Sequence, residues 1–116
     1  MAKEAILESA IMELLWASDR ALTPGDVRDT LGESREIAYT TVLTVMSRLW
    51  KKGLLERERH GRSYTYSPRE DKEERTARRM EEMLAATHER RLTLARFLNN
   101  LSASDRKDLR RLLEDE

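Results

Sequence analysis

Residues 38–52 read AYTTVLTVMSRLWKK, with Gly53 next. Wound as a helix, Val42, Val45, Met46 and Leu49 fall on one stripe, at the spacing of three and four residues that an amphipathic helix buries. Thr40, Thr41, Thr44, Ser47, Arg48 and Lys51 form a polar face without an acidic residue. Short hydroxyls there permit close approach of a surface, and the cations gather at the C-terminal end, where the helix dipole favours them. The β-branched residues at 40, 41, 42, 44 and 45 lower intrinsic helix propensity, so this helix depends on tertiary packing. Gly53 closes it, since glycine enters the left-handed conformation of a helix C-cap without a steric penalty.

Upstream, Leu7, Ala10, Ile11, Leu14 and Leu15 recur with helical period between Glu4 and Ser18, predicting a first helix. Thr23-Pro24 starts a second: a Thr side chain accepts from orphan N–H groups, Pro fits the first helical position, and Asp26 suits the positive end of the dipole. Val27 and Leu31 point inward, and a left-handed cap is expected at Gly32. Downstream of Gly53 the period falls to about two. Two strands are expected around His60-Gly61-Arg62, the second ending at Pro68, which cannot donate to a ladder. Three helices and a hairpin in that order make a winged helix-turn-helix plan. The expected fold class is therefore mainly α with a small β-hairpin (α+β), a winged helix over residues 1–69 followed by a helical dimerisation tail over 70–116.

The 116 residues suffice for one such domain and an appendage. No cysteine is present, which excludes disulfide frameworks, thiolate nucleophiles and the commonest zinc clusters. Neither a long apolar run nor a secretion signal occurs, and a soluble cytoplasmic protein is expected. Formal net charge is zero, but its distribution is not even. Residues 1–47 carry four basic and eight acidic side chains, a net of minus four; residues 48–63 carry Arg48, Lys51, Lys52, Arg57, Arg59 and Arg62 against Glu56 and Glu58, a net of plus four. The local field, not the total, is what a polyanion meets. Arg48, Lys51, Lys52, Arg59 and Arg62 are candidates for neutralising phosphates, with the threonine face reading bases.

From Glu70 onward there is no glycine and charge of both signs is dense. Ala77, Met80, Met83, Leu84 and Thr87 lie on one face of the first tail helix, Leu94, Phe97, Leu98 and Leu101 form a second apolar cluster, and Ser102 with Asp105 starts a last helix bearing Leu109, Leu112 and Leu113. Helices so narrow in apolar content cannot bury much within one chain. The expected partner is a second copy, in a twofold dimer.

The stretches ILESAIMELLW (6–16) and AYTTVLTVMSRLWKKGLLERERHGRSYTYSP (38–68) resemble the penicillinase repressor family, the BlaI/MecI type. The second block is the specific one, with its Tyr-Thr-Thr-Val start, Arg-Leu-x-Lys-Lys-Gly ending and basic hairpin closing on Tyr-x-Tyr-Ser-Pro; the tail is similar in helical pattern and length. The resemblance implies a winged-helix repressor of antibiotic or stress genes, homodimeric through a three-helix tail, acting on dyad-symmetric double-stranded operator DNA. It implies that Thr40, Thr41, Leu43 and Thr44 face bases while Tyr39, Ser47 and Arg48 lie near the DNA backbone. Other members can carry basic side chains where this chain has Thr40 and Leu43, which can touch a thymine methyl but offer guanine no bidentate fork; operator shape then gains weight. Members cut by a membrane sensor protease carry Asn-Phe where this chain carries Arg96-Phe97, so such a partner and the mode of induction stay open.

Remaining features point elsewhere only weakly. Trp16 and Trp50 read as packing groups. His60 and His88 stand far apart with no cysteine, so no metal or cofactor is expected, and the acidic pair Glu81-Glu82 lacks a convergent nucleophile. Enzymatic activity is not expected. Two alternatives stay open: a ligand-sensing winged-helix regulator, and a winged helix serving only protein interaction without DNA.

Overall fold

Four side chains on one helix form the wall against which the rest of the N-terminal half packs. α1 (Ala2–Ala17) buries Leu7, Ile11, Met12 and Leu15, in the three-and-four rhythm of its sequence. The computed structural model describes residues 2–32 and 36–115. α2 (Pro24–Gly32) opens with a reciprocal capping box: the Asp26 N–H donates to Thr23 Oγ1 at 3.0 Å and the Thr23 N–H donates to Asp26 Oδ2 at 3.1 Å. That Thr23 amide is the main reason the Asp26 carboxyl is held below the usual carboxylate range; burial opposes it, and Arg20 assists. The left-handed cap expected at Gly32 is not formed. Gly32 is the last residue of α2, and the glycines with positive φ among the described residues are Gly53 and Gly61. Glycine takes right-handed helical angles as readily as left-handed ones, so its presence alone does not impose the turn.

α3 (Tyr39–Lys51) buries Val42, Val45, Met46 and Leu49. Its end is a Schellman motif: Gly53 turns at φ +83°, its N–H donates to the Trp50 carbonyl at 3.0 Å, and the Leu54 N–H reaches back to the Leu49 carbonyl at 3.0 Å. β1 (Leu55–His60) and β2 (Ser63–Pro68) pair antiparallel from Leu55↔Pro68 to His60↔Ser63. The turn is thus two residues, Gly61-Arg62, with Gly61 at φ +65° and Arg62 on the negative side, as a type II′ hairpin requires. Leu22, outside any expected strand, adds a third rung: its N–H donates to the Tyr66 carbonyl at 3.0 Å and its carbonyl accepts from the Tyr66 N–H at 2.7 Å. One core results, from α1, Leu22, Val27, α3, Leu55 and Tyr66.

The chain divides into two compact units, 1–75 and 76–116. Their boundary lies within α4 (Lys72–Ala85), beyond the 69/70 junction expected from composition. The segment after Pro68 is tied to α1: Trp16 Nε1 donates to the Glu70 carbonyl at 3.0 Å, and Lys72 Nζ meets Glu13 at 3.0 Å. The rest of the chain is α5 (Arg90–Asn100) and α6 (Ala103–Glu114). Ser102 caps α6 by accepting from the Asp105 N–H at 3.0 Å. Thr87 falls beyond the end of α4, against expectation, and its hydroxyl meets that of Thr93 at 3.2 Å. No described residue of α4, α5 or α6 is buried. No helix among the described residues is long and apolar enough to cross a membrane.

Candidate nucleic-acid interface

With its buried stripe fixed in the core, α3 turns the rest of its surface outward in three strips. Helical spacing places Thr40, Thr44, Ser47 and Lys51 opposite the buried stripe. The three of these other than Ser47 are exposed, Ser47 is half-buried, and no carboxylate belongs to the strip. The Thr44 hydroxyl donates to the Thr40 carbonyl at 2.9 Å. Its single hydrogen is thereby spent inside the helix, and it offers outward a methyl group and oxygen lone pairs. Tyr39 and Leu43 flank this strip on one side, both exposed, and Trp50 continues the same side, half-buried.

The other flank is ionic. Arg48 Nη1 lies 2.7 Å from Glu4 Oε2, and Lys52 Nζ lies 3.3 Å from Glu8 Oε2. These cations, expected to meet phosphates, are engaged by carboxylates of α1, with Thr41 exposed on the same side. Lys51 and Arg62 form no ion pair among the described residues, and Arg59 Nε donates to the Gly61 carbonyl at 2.9 Å, within the hairpin turn.

The pleat of the hairpin sorts its charges. Alternation puts Leu55, Arg57 and Arg59 on one face with Tyr64 and Tyr66, and Glu56, Glu58 and His60 on the other. Arg57 is the hinge of the first face: its guanidinium carbon sits 3.5 Å from the Trp50 ring centroid and 4.1 Å from that of Tyr64. A cation between two rings is held by both quadrupoles, and this one joins the end of α3 to the wing. Arg59 and Arg62 extend beyond it at the hairpin tip, exposed.

A family model described as penicillinase repressor matches residues 5–115. The chain belongs to the penicillinase repressor family. Penicillinase repressors are transcriptional regulators, and this chain is not an enzyme. Among its relatives is the transcriptional regulator BlaI of Mycobacterium tuberculosis, known from strains CDC 1551 / Oshkosh and ATCC 25618 / H37Rv, 35% identical over 112 residues, which are 94% of this chain and 81% of the relative. The solution structure of the DNA-binding domain of the repressor BlaI is similar at a TM-score of 0.51 and 27% identity, covering 57% of this chain and 79% of that domain. The complex structure of hsRosR-S1 shares the fold at a TM-score of 0.53 and 19% identity, covering 88% of this chain and 91% of that one.

In this member of the penicillinase repressor family, most of the residues expected to mediate dimerisation are exposed. Met83 is 77% and Leu113 76% exposed, Met80, Leu94, Phe97, Leu98, Leu109 and Leu112 are exposed too, and Leu84 and Leu101 are half-buried. Met80, Met83, Leu84, Leu94 and Phe97 come together, with Ala77, Glu81 and Thr93, around an apolar groove of about 490 Å³. Leu98, Leu101, Leu109, Leu112 and Leu113 lie outside its lining. Sequence reasoning missed Glu4, Glu8 and Arg57. Only the alternation of Arg57 with Glu56 and Glu58 hinted that one charge of the hairpin would turn inward.

Proposed function

We propose that the protein is a DNA-binding repressor, homodimeric on a dyad-symmetric operator, each protomer laying α3 in a major groove and its hairpin tip against the adjacent backbone. The observation that carries this reading is the strip Thr40, Thr44, Ser47 and Lys51: small hydroxyls and one cation, free of carboxylates, on a helix whose opposite side is fully anchored in the core. A rod of that size fits a major groove, and short side chains bring its backbone close to base edges. Lys51, Arg59 and Arg62 supply the phosphate contacts. Similarity to the BlaI DNA-binding domain supports the same assignment. The family's description supports an antibiotic response as the controlled process.

Dimerisation rests on the tail, whose exposed apolar side chains exceed what a solitary helical segment leaves to water. A second copy covering the α4–α5 groove would bury Met80, Met83, Leu84, Leu94 and Phe97, and the twofold operator contact follows from that symmetry.

Anisotropy titration of the full chain against duplex DNA, recovered from the genome by its bound fragments, tests the reading. Six phosphate contacts per dimer predict a fall in affinity of about three orders of magnitude between roughly 50 and 200 mM salt. A flat salt response overturns it. Sedimentation equilibrium of Met83→Glu, expected to be monomeric where the unaltered chain is dimeric, tests the tail.

A further inference from the structure

We propose that Glu4 and Glu8 on α1 are built-in competitors of DNA phosphate, each carboxylate occupying a cation on the flank of α3 and so holding down affinity for DNA of any sequence. The inference rests on the DNA-binding reading above. Glu4 and Glu8 stand four residues apart on α1, Arg48 and the C-cap residue Lys52 four apart at the end of α3, and the two pairs form in the same order, Glu4 with Arg48 at 2.7 Å and Glu8 with Lys52 at 3.3 Å. Residues four apart share a helix face, so both rungs lie along one edge of α3, beside Thr44 and Lys51.

Carboxylate and phosphate compete for the same donors. Both present paired oxygens to a guanidinium and a point charge to an ammonium. The Arg48 side chain is 39% exposed and that of Lys52 51%, so neither is sealed in, and both are long enough to swing outward. Exposed pairs of this kind are individually weak, each worth at most about fivefold in affinity. They act as a counterweight to the polyanion rather than as a lock. Because phosphates are the same in every sequence, the counterweight falls on random DNA in full, while base contacts by Thr40 and Thr44 are untouched. The carboxylates therefore lower affinity for operator and random duplexes alike and leave their ratio unchanged, shortening each stay on random DNA without altering which base pairs are read.

The experiment is anisotropy of the full chain on a labelled random-sequence duplex, across a potassium chloride series, for the unaltered protein, E4Q/E8Q, R48A/K52A and the four-fold variant. E4Q/E8Q is expected to bind about tenfold tighter at roughly 0.1 M salt, with a log–log salt slope steeper by up to about 3.6 per dimer, 0.9 for each cation released. The gain is expected to vanish in the R48A/K52A background. E4D/E8D, which keeps the net charge but shortens the reach, is expected to show part of the gain, and circular dichroism verifies that each variant is folded. Unchanged or weaker binding by E4Q/E8Q overturns the proposal, as does a gain that persists without Arg48 and Lys52, since loss of negative charge alone would then explain it. Absence of binding by all the proteins, the unaltered one included, overturns the DNA-binding reading and this inference with it.

Discussion

Two adjacent lysines at the end of α3 are expected to differ sharply in function. Lys51 lies on the outward strip with no ion pair among the described residues, whereas Lys52 is held by Glu8 at 3.3 Å. Lys51→Ala removes one phosphate contact from each protomer, two per dimer. At about 0.9 in the logarithmic salt slope per phosphate, the slope becomes shallower by about 1.8. Near 0.1 M salt the same two contacts are worth about 60-fold in affinity, or about 2.5 kcal/mol. Alanine is the best helix former and Lys51 is exposed, so the fold loses only a favourable charge near the helix C-terminus, about 0.3–1 kcal/mol. The loss should be equal on operator and random duplexes, because a phosphate contact carries no sequence information. Lys52→Ala should cost less than about threefold, its charge being already engaged by Glu8. Anisotropy at several salt concentrations measures both. Equal losses for the two lysines, or an unchanged slope for Lys51→Ala, would refute the assignment of the outward strip.

Gly53→Ala should destabilise the chain by about 1–2 kcal/mol in urea titration, because φ is +83° there and the added methyl meets nothing within 4 Å, leaving backbone strain as the whole cost. Arg57→Ala should cost about 1–2 kcal/mol for the two ring contacts at 3.5 and 4.1 Å, raise the mobility of the hairpin in NMR relaxation, and weaken DNA binding through Arg59 and Arg62; Arg57→Lys should recover little, lacking the planar guanidinium that stacks. Acid unfolding should report Asp26. Its folded carboxyl is held below the ordinary aspartate value, so its contribution is fully present above the unfolded pKa, about 4, and is lost as pH falls through the depressed folded value. Thr23→Ala, which removes the hydroxyl that accepts from the Asp26 N–H, should lower stability by about 1 kcal/mol at neutral pH.

What could be read from the chain before the fold was known were features whose physics is local. The Thr23-Pro24 start, the Gly53 stop and the Ser102 cap each need only a few neighbouring residues, and each forms as expected; the turn expected over His60-Gly61-Arg62 closes on Gly61-Arg62 alone, because His60 still pairs with Ser63. So does the buried stripe of α3, since helical spacing alone aligns Val42, Val45, Met46 and Leu49. Local signals failed where two conformations are equally open to the residue, as at Gly32, or where a face was extended past the helix end, as at Thr87. Most of what was invisible is long-range. The Glu4–Arg48 and Glu8–Lys52 rungs each span 44 residues, and nothing near Leu22 announces the rung it shares with Tyr66. A list of cations therefore identified the basic region but could not say which cations were already engaged.

That distinction matters for a chain with no net charge. Affinity for a polyanion depends on the cations left free at the surface, and the fold allots them unevenly. Arg57 is drawn inward between Trp50 and Tyr64, Arg48 and Lys52 are turned toward α1, and Lys51, Arg59 and Arg62 have no carboxylate partner among the described residues. Half of the six cations between residues 48 and 63 thus hold the wing and helices in place. The free ones sit at two places, the outward strip of α3 and the hairpin tip, and the Arg57 clamp fixes the spacing between them. In the proposed complex, a duplex that matches that spacing engages both places at once; a distorted one would keep only one of the three phosphate contacts per protomer if it reached the α3 strip alone, or two if it reached the hairpin tip alone. On the proposed reading, operator shape would be read by that separation even at base pairs no side chain touches, which would compensate for an α3 whose Thr40 and Leu43 lack the donors to fork onto guanine.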